Sequence, residues 1–135
     1  MYSVLDGNVA GENPMKFVVV TKDPSVAEAA VLGFHPSDEC IILDEWTEAL
    51  ELAEDADLLF VDMLATLTEP HKIAGYEAFA KAKMNHAKTS QTPLVVITPP
   101  HDYELDFMAG WPNFLIGNVQ HPVDYKIFRR ASTWV

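Results

Sequence analysis

Four side chains that could act on a shared ligand stand at or just beyond the ends of short apolar runs. Asp62 follows Leu58-Leu59-Phe60-Val61, Thr98 follows Leu94-Val95-Val96-Ile97, Lys22 lies just past Phe17-Val18-Val19-Val20, and His121 comes after Asn113-Phe114-Leu115-Ile116. A carboxylate, a hydroxyl, an ammonium and an imidazole gathered in one place could hold and neutralise a charged group. The plainer role for Asp62 is to cap the turn or helix that follows it, since aspartate commonly opens turns.

The elements that would position these groups can be read from the same runs. A short apolar stretch with polar residues at both ends is the pattern of a strand buried on both faces of a parallel sheet. Helical segments alternate with these strands. Asp23 and Pro24 are the N-cap and first residue of a helix ending near Gly33, with Val26, Ala27, Ala30 and Val31 on its apolar face. A second strand over Cys40 to Leu43 is followed by Asp44 as a cap, and Trp46, Ala49, Leu50 and Ala53 then recur at helical spacing. Past the central strand a loop is expected over Leu64 to His71. A helix over about Lys72 to Ala87 should turn Ile73, Tyr76, Phe79 and Ala80 inward.

Pro99 and Pro100 stop the strand that ends at Thr98. Asp102 is expected to cap a short helix through Met108, the last strand to cover Asn113 to Ile116, and Pro122 to open a final helix that buries Val123, Ile127 and Phe128. Residues 1–15 read as an arm and 16–135 as one domain. This rhythm predicts an α/β fold, a doubly wound sheet of five parallel strands with helices on both faces. The carboxyl ends of all strands then share one edge, which brings Thr21, Lys22, Asp23, Asp62, Thr98 and His101 together, with His121 a further candidate.

Composition narrows the function. Nine basic against twenty acidic residues give a net charge of -11, which repels nucleic-acid backbones and anionic membranes. The acids concentrate in Asp44, Glu45, Glu48, Glu51, Glu54, Asp55 and Asp57, a pattern that marks the wet face of a helix or, less commonly, a docking surface for a basic partner. No apolar run approaches the roughly 20 residues needed to span a bilayer. Met1 to Pro14 lacks the basic residues and apolar core of a secretory leader, so a cytoplasmic location is expected. The single cysteine, Cys40, sits beside Ile41 and Ile42 and reads as a buried hydrophobe.

From Lys16 onward the chain resembles a response-regulator receiver domain. Phe17 to Val20 with Asp23-Pro24-Ser25 resembles the first strand and helix start of that family, and Leu58 to Asp62 the strand that ends in the phospho-accepting aspartate. Gly75-Tyr76-Glu77 is similar to the start of its third helix, Val95 to Thr98 to the strand ending in a hydroxyl residue, Ala109-Gly110 to the step before the fifth strand, and His121-Pro122 to its Lys-Pro pair. The resemblance implies a flavodoxin-like strand order 2-1-3-4-5.

Departures from the family pattern decide what the resemblance implies for function. Thr21 and Lys22 stand where the family has a cation-binding acid pair, His121 stands where it has a lysine, and Gly117 to Gln120 reads as an insertion before it. Magnesium requires oxygen ligands, and phosphoryl transfer requires the charge around the transferred group to be neutralised. The expectation is therefore a degenerate receiver, or pseudo-receiver, that binds no cofactor, catalyses no reaction and works through a protein partner, as a monomer or weak homodimer. Two other readings stay open. One is an atypical receiver phosphorylated on Asp62 with Lys22 supplying charge; the other is a metal site built from His71, His101 and His121. A small-molecule enzyme is disfavoured by the absence of a Gly-rich phosphate loop and of Gly-x-Ser-x-Gly. The resemblance places the partner surface on Tyr103, Phe107, Trp111, Tyr125, Arg129, Arg130 and Trp134. Lys22 is expected to take the place of the missing cation and pair with Asp62.

Overall fold

The computed structural model describes residues 14–104 and 115–135. Five strands, β1 (Lys16–Val20), β2 (Glu39–Leu43), β3 (Leu58–Asp62), β4 (Leu94–Thr98) and β5 (Leu115–Gln120), form one sheet in the order β2-β1-β3-β4-β5. Every neighbouring pair is parallel, with Val19 opposite Phe60 and Val61 opposite Val96 at the centre. All five residues of β3 are buried, which explains why its sequence is a continuous apolar run rather than an alternating one.

Helices α1 (Pro24–Gly33), α2 (Trp46–Leu52), α3 (Met63–Thr66), α4 (Ala74–Asn85) and α5 (Tyr125–Ala131) connect or follow the strands, and a 3-10 turn spans Ser132–Trp134. One face of the sheet packs Val18, Leu59, Val61 and Val96 against Ala49 and Leu50 of α2 and Tyr76 and Phe79 of α4. The other packs Phe17, Val19, Phe60 and Ile97 against Val26 and Ala30 of α1 and Phe128 of α5. Phe34 joins this second layer, with its ring stacked on Phe17 at 4.3 Å. Cys40 packs there too, and burial pushes its thiol up to about 11, in keeping with an inert role.

The sheet, its strand order and the two-sided packing agree with the sequence expectation; several local assignments do not. Val31 is 62% exposed, because the buried stripe of α1 is Val26, Ala29, Ala30 and Gly33. These four follow the helical i, i+3, i+4, i+7 spacing and leave Val31 outside it. Glu45, not Asp44, occupies the N-cap of α2 and makes no side-chain cap bond. Part of the expected loop after β3 is the single turn α3, because Asp62 accepts the Leu64 N–H and caps it. Asp124 caps α5 by accepting from the Lys126 and Ile127 N–H groups, so Pro122 and Val123 precede the helix. Gly117 to Gln120 belongs to β5 rather than to an insertion, and His121 follows the strand directly. The expected helix after Asp102 lies outside the described residues for most of its length, as do Asn113 and Phe114.

No sequence signal sets Lys83 apart from the other lysines. It is fully buried in α4 and its ammonium donates to the carbonyls of Thr89 (2.9 Å) and Thr92 (2.6 Å), tying the loop before β4 to the helix. Burial pushes the ammonium down to about 8.

Gly33 marks where α1 and α5 come closest: a Cβ there would lie 2.5 Å from the Tyr125 carbonyl oxygen and 2.7 Å from Phe128 Cβ. Alanine in a helix is normally favoured over glycine by about 1 kcal/mol. Here the steric cost, about 1–3 kcal/mol for overpacking, opposes that preference and exceeds it. Urea denaturation of Gly33→Ala should therefore show a net loss of stability of up to about 2 kcal/mol; a gain would show that α5 yields freely.

Candidate functional site

Asp62 is the hub of the carboxyl edge. It ends the central strand, is 1% exposed, and has both carboxylate oxygens in hydrogen bonds. The Thr21 hydroxyl at the end of β1 donates to Oδ2 at 2.9 Å. His121, at the end of β5, places Nε2 2.9 Å from Oδ1, which also accepts the Leu64 N–H at 3.2 Å. A carboxylate only accepts, so Nε2 carries a proton. Thr21 and His121 are themselves buried, at 4% and 8% exposure. A buried carboxylate must be satisfied in this way, because leaving it without partners would cost several kcal/mol.

Strand geometry places His121. Its N–H donates to the Thr98 carbonyl at 3.0 Å, extending the β4–β5 pairing by one residue, and the His121–Pro122 peptide is cis. The sequence places His121 at this edge but, with Gly117 to Gln120 taken as an insertion, apart from the strand; the continuous β5 carries it onto Asp62. Thr21, expected at this edge but without a role beyond standing in place of an acid, is the second partner; its signal is a hydroxyl residue just after a strand adjacent to β3.

Lys22 does not pair with Asp62. It is exposed, and among the described residues no ion pair joins the two. Lys22 lies in the bend between β1 and α1, one residue beyond the Thr21 that reaches Asp62. Thr98 lies next to the site, but its hydroxyl donates to the Val119 carbonyl at 3.1 Å. Asp23 caps α1 by accepting from the Ser25 N–H and hydroxyl. Those two bonds hold its carboxyl below the ordinary range.

An open groove of about 360 Å³ runs beside the hub, with Thr21, Lys22, Asp23, Asp44 and Glu45 among its walls and Asp62 not among them. The three histidines considered for a metal are not brought together. His121 is bonded to Asp62, while His71 stacks on Tyr103 at 4.4 Å and donates its N–H to the Tyr103 hydroxyl. His101 is exposed in the turn after β4. No three His, Cys, Asp or Glu side chains are grouped to hold a metal among the described residues.

Of the partner-surface residues, Tyr103 is drawn onto His71, whereas Tyr125 and Arg129 share the outer side of α5 with the guanidinium 5.2 Å from the ring centre. Trp134 is 41% exposed and its ring lies over Gly117 of β5. Phe107 and Trp111 lie outside the described residues.

No protein-family model matches the sequence, and no curated protein is similar to it. Solved structures are similar. A chain from Chloroflexus aurantiacus J-10-fl named as a response regulator superposes with a TM-score of 0.62 at 21% identity, over 90% of this chain and 98% of that one. A signal receiver domain of a two-component histidine kinase from Clostridium thermocellum does so with a TM-score of 0.56 at 10% identity, over 90% of this chain and 95% of its own. This chain has a receiver-like fold. Among the described residues, no helix is long and apolar enough to cross a membrane.

If the hub is a coupled unit, its members should not contribute independently to stability. Asp62→Ala and His121→Ala should each destabilise the domain by about 3–5 kcal/mol, while the double variant loses less than the sum. A double-mutant cycle by urea denaturation should give a coupling of at least about 1 kcal/mol. Additive losses would show that the two side chains are merely adjacent.

Proposed function

We propose that this receiver-like domain is a non-catalytic pseudo-receiver that acts in signalling or regulation through contact with a protein partner, without metal-dependent phosphorylation. The observation that carries the reading is the occupation of both Asp62 oxygens by donors from the chain itself. To accept a phosphoryl group, one oxygen must be free to attack phosphorus, and a cation must offset the charge that accumulates on the transferred group. Here Thr21 stands where an acid would ligate that cation and Lys22 is exposed. The resident donor is the His121 ring, in hydrogen-bond contact with the carboxylate.

A domain of this kind transmits information by what binds its surface, and a cytoplasmic location suits that role. An atypical receiver phosphorylated on Asp62 is the second reading, favoured by the proton-bearing imidazole beside the carboxylate, which could supply some of the missing positive charge.

Incubation with acetyl phosphate and magnesium separates the two. Intact mass should stay unchanged for the wild type, as for Asp62→Asn. Addition of one phosphoryl group that disappears in Asp62→Asn would establish the second reading and overturn the first.

A further inference from the structure

The most exposed large hydrophobic side chains among the described residues are adjacent on α1: Val31 at 62% and Leu32 at 60%. The close approach of Gly33 to Tyr125 and Phe128 sets that end of α1 directly against α5. The outer side of α5 is exposed through Tyr125, Lys126, Arg129 and Arg130. Arg129 and Arg130 are the only arginines in the chain.

Charge pairing distinguishes this face from the rest of an acidic molecule. Glu51, Glu54 and Asp55, in and just after α2, have His86, Lys88 and Lys16 as ionic neighbours. Lys126, Arg129 and Arg130 enter no ion pair among the described residues. The acids on these two elements are Glu28 on α1 and the N-caps Asp23 and Asp124, both engaged in capping bonds. The acidic α2 packs on the opposite face of the sheet. Screening over about 8 Å at physiological salt leaves the local cations to dominate near α5.

We propose that the α1–α5 face docks an acidic amphipathic helix of a partner protein, with Val31, Leu32 and Tyr125 receiving its apolar stripe and Lys126, Arg129 and Arg130 pairing with its carboxylates. Exposed aliphatics beside arginine and tyrosine are the composition of an interface anchor, and a helix laid along two packed helices presents side chains at i, i+3, i+4 and i+7 to both. The competing occupant is α2 of a second copy. That helix is acidic, but Leu52 is its only exposed large hydrophobic, so it offers one anchor where the face provides a pair.

This inference rests on the reading of the domain as a protein-binding module, and its test is independent of phosphorylation chemistry at Asp62. The probe is a fluorescein-labelled helical peptide with leucines at i, i+3, i+4 and i+7 flanked by glutamates, followed by anisotropy and by amide shifts of the full chain. Saturable binding is expected, with shifts confined to α1 and α5. Binding should weaken about tenfold or more in Arg129→Glu/Arg130→Glu and, separately, in Val31→Ser/Leu32→Ser. The counterpart peptide with lysine in place of glutamate should not bind. No binding, equal binding to the variants, or shifts centred on α2 would overturn the proposal. So would concentration-dependent self-assembly of the unliganded chain that Arg129→Glu/Arg130→Glu abolishes, since the face would then belong to a second copy. The surface variants are expected to keep the wild-type circular dichroism spectrum, which separates loss of binding from loss of fold.

Discussion

A carboxylate fixed in the interior at the end of a central strand must be satisfied by whatever the neighbouring strands provide. For Asp62 these providers are β1, through Thr21, the turn into α3, through the Leu64 N–H, and the residue after β5, through His121. The strand order makes this possible, because β1 is adjacent to β3 while β4 carries β5 and His121 around its far side. The same carboxylate caps α3, so one side chain links the sheet, a helix start and the end of the last strand. Binding anything new at Asp62 would have to replace these bonds, and breaking a buried charged hydrogen bond costs more than an exposed one.

Much of the fold was legible in the sequence because buried parallel strands leave uninterrupted apolar runs, and β1, β3 and β4 are such runs. The edge strand β5 was harder to place. Its burial alternates, and Gly117, Asn118 and Gln120 carry none of the branched apolar character that marks a central strand. The apolar run therefore gives no register for His121 against Asp62, whereas Lys22, just beyond a strand adjacent to β3, reads as the partner of the carboxylate. Lys22 stands exposed in the bend after β1, and the partners of Asp62 are Thr21 and His121 instead.

Helix faces were legible to a similar degree. Val26 and Ala30 were placed inward correctly, but Val31 was assigned to the same stripe because it is apolar, and the structure exposes it. Its neighbour Leu32 is equally exposed, and the pair is visible as a surface feature only after Gly33 has fixed α1 against α5. Lys83 was invisible for a different reason. A lysine in a helix reads as a solvent-facing residue, and only the three-dimensional course of residues 89–92 surrounds it with carbonyl oxygens.

The central claim is that the Asp62 edge is closed by its own side chains and is not waiting for a cation. Magnesium titration, read by amide shifts near Asp62 in the wild type and in Thr21→Asp/Lys22→Asp, tests it most directly. The account predicts no site-specific shifts in the wild type at millimolar magnesium, and weak saturable shifts in the variant, where an acid pair stands beside Asp62. Strong saturable shifts around Asp62 in the wild type would contradict it.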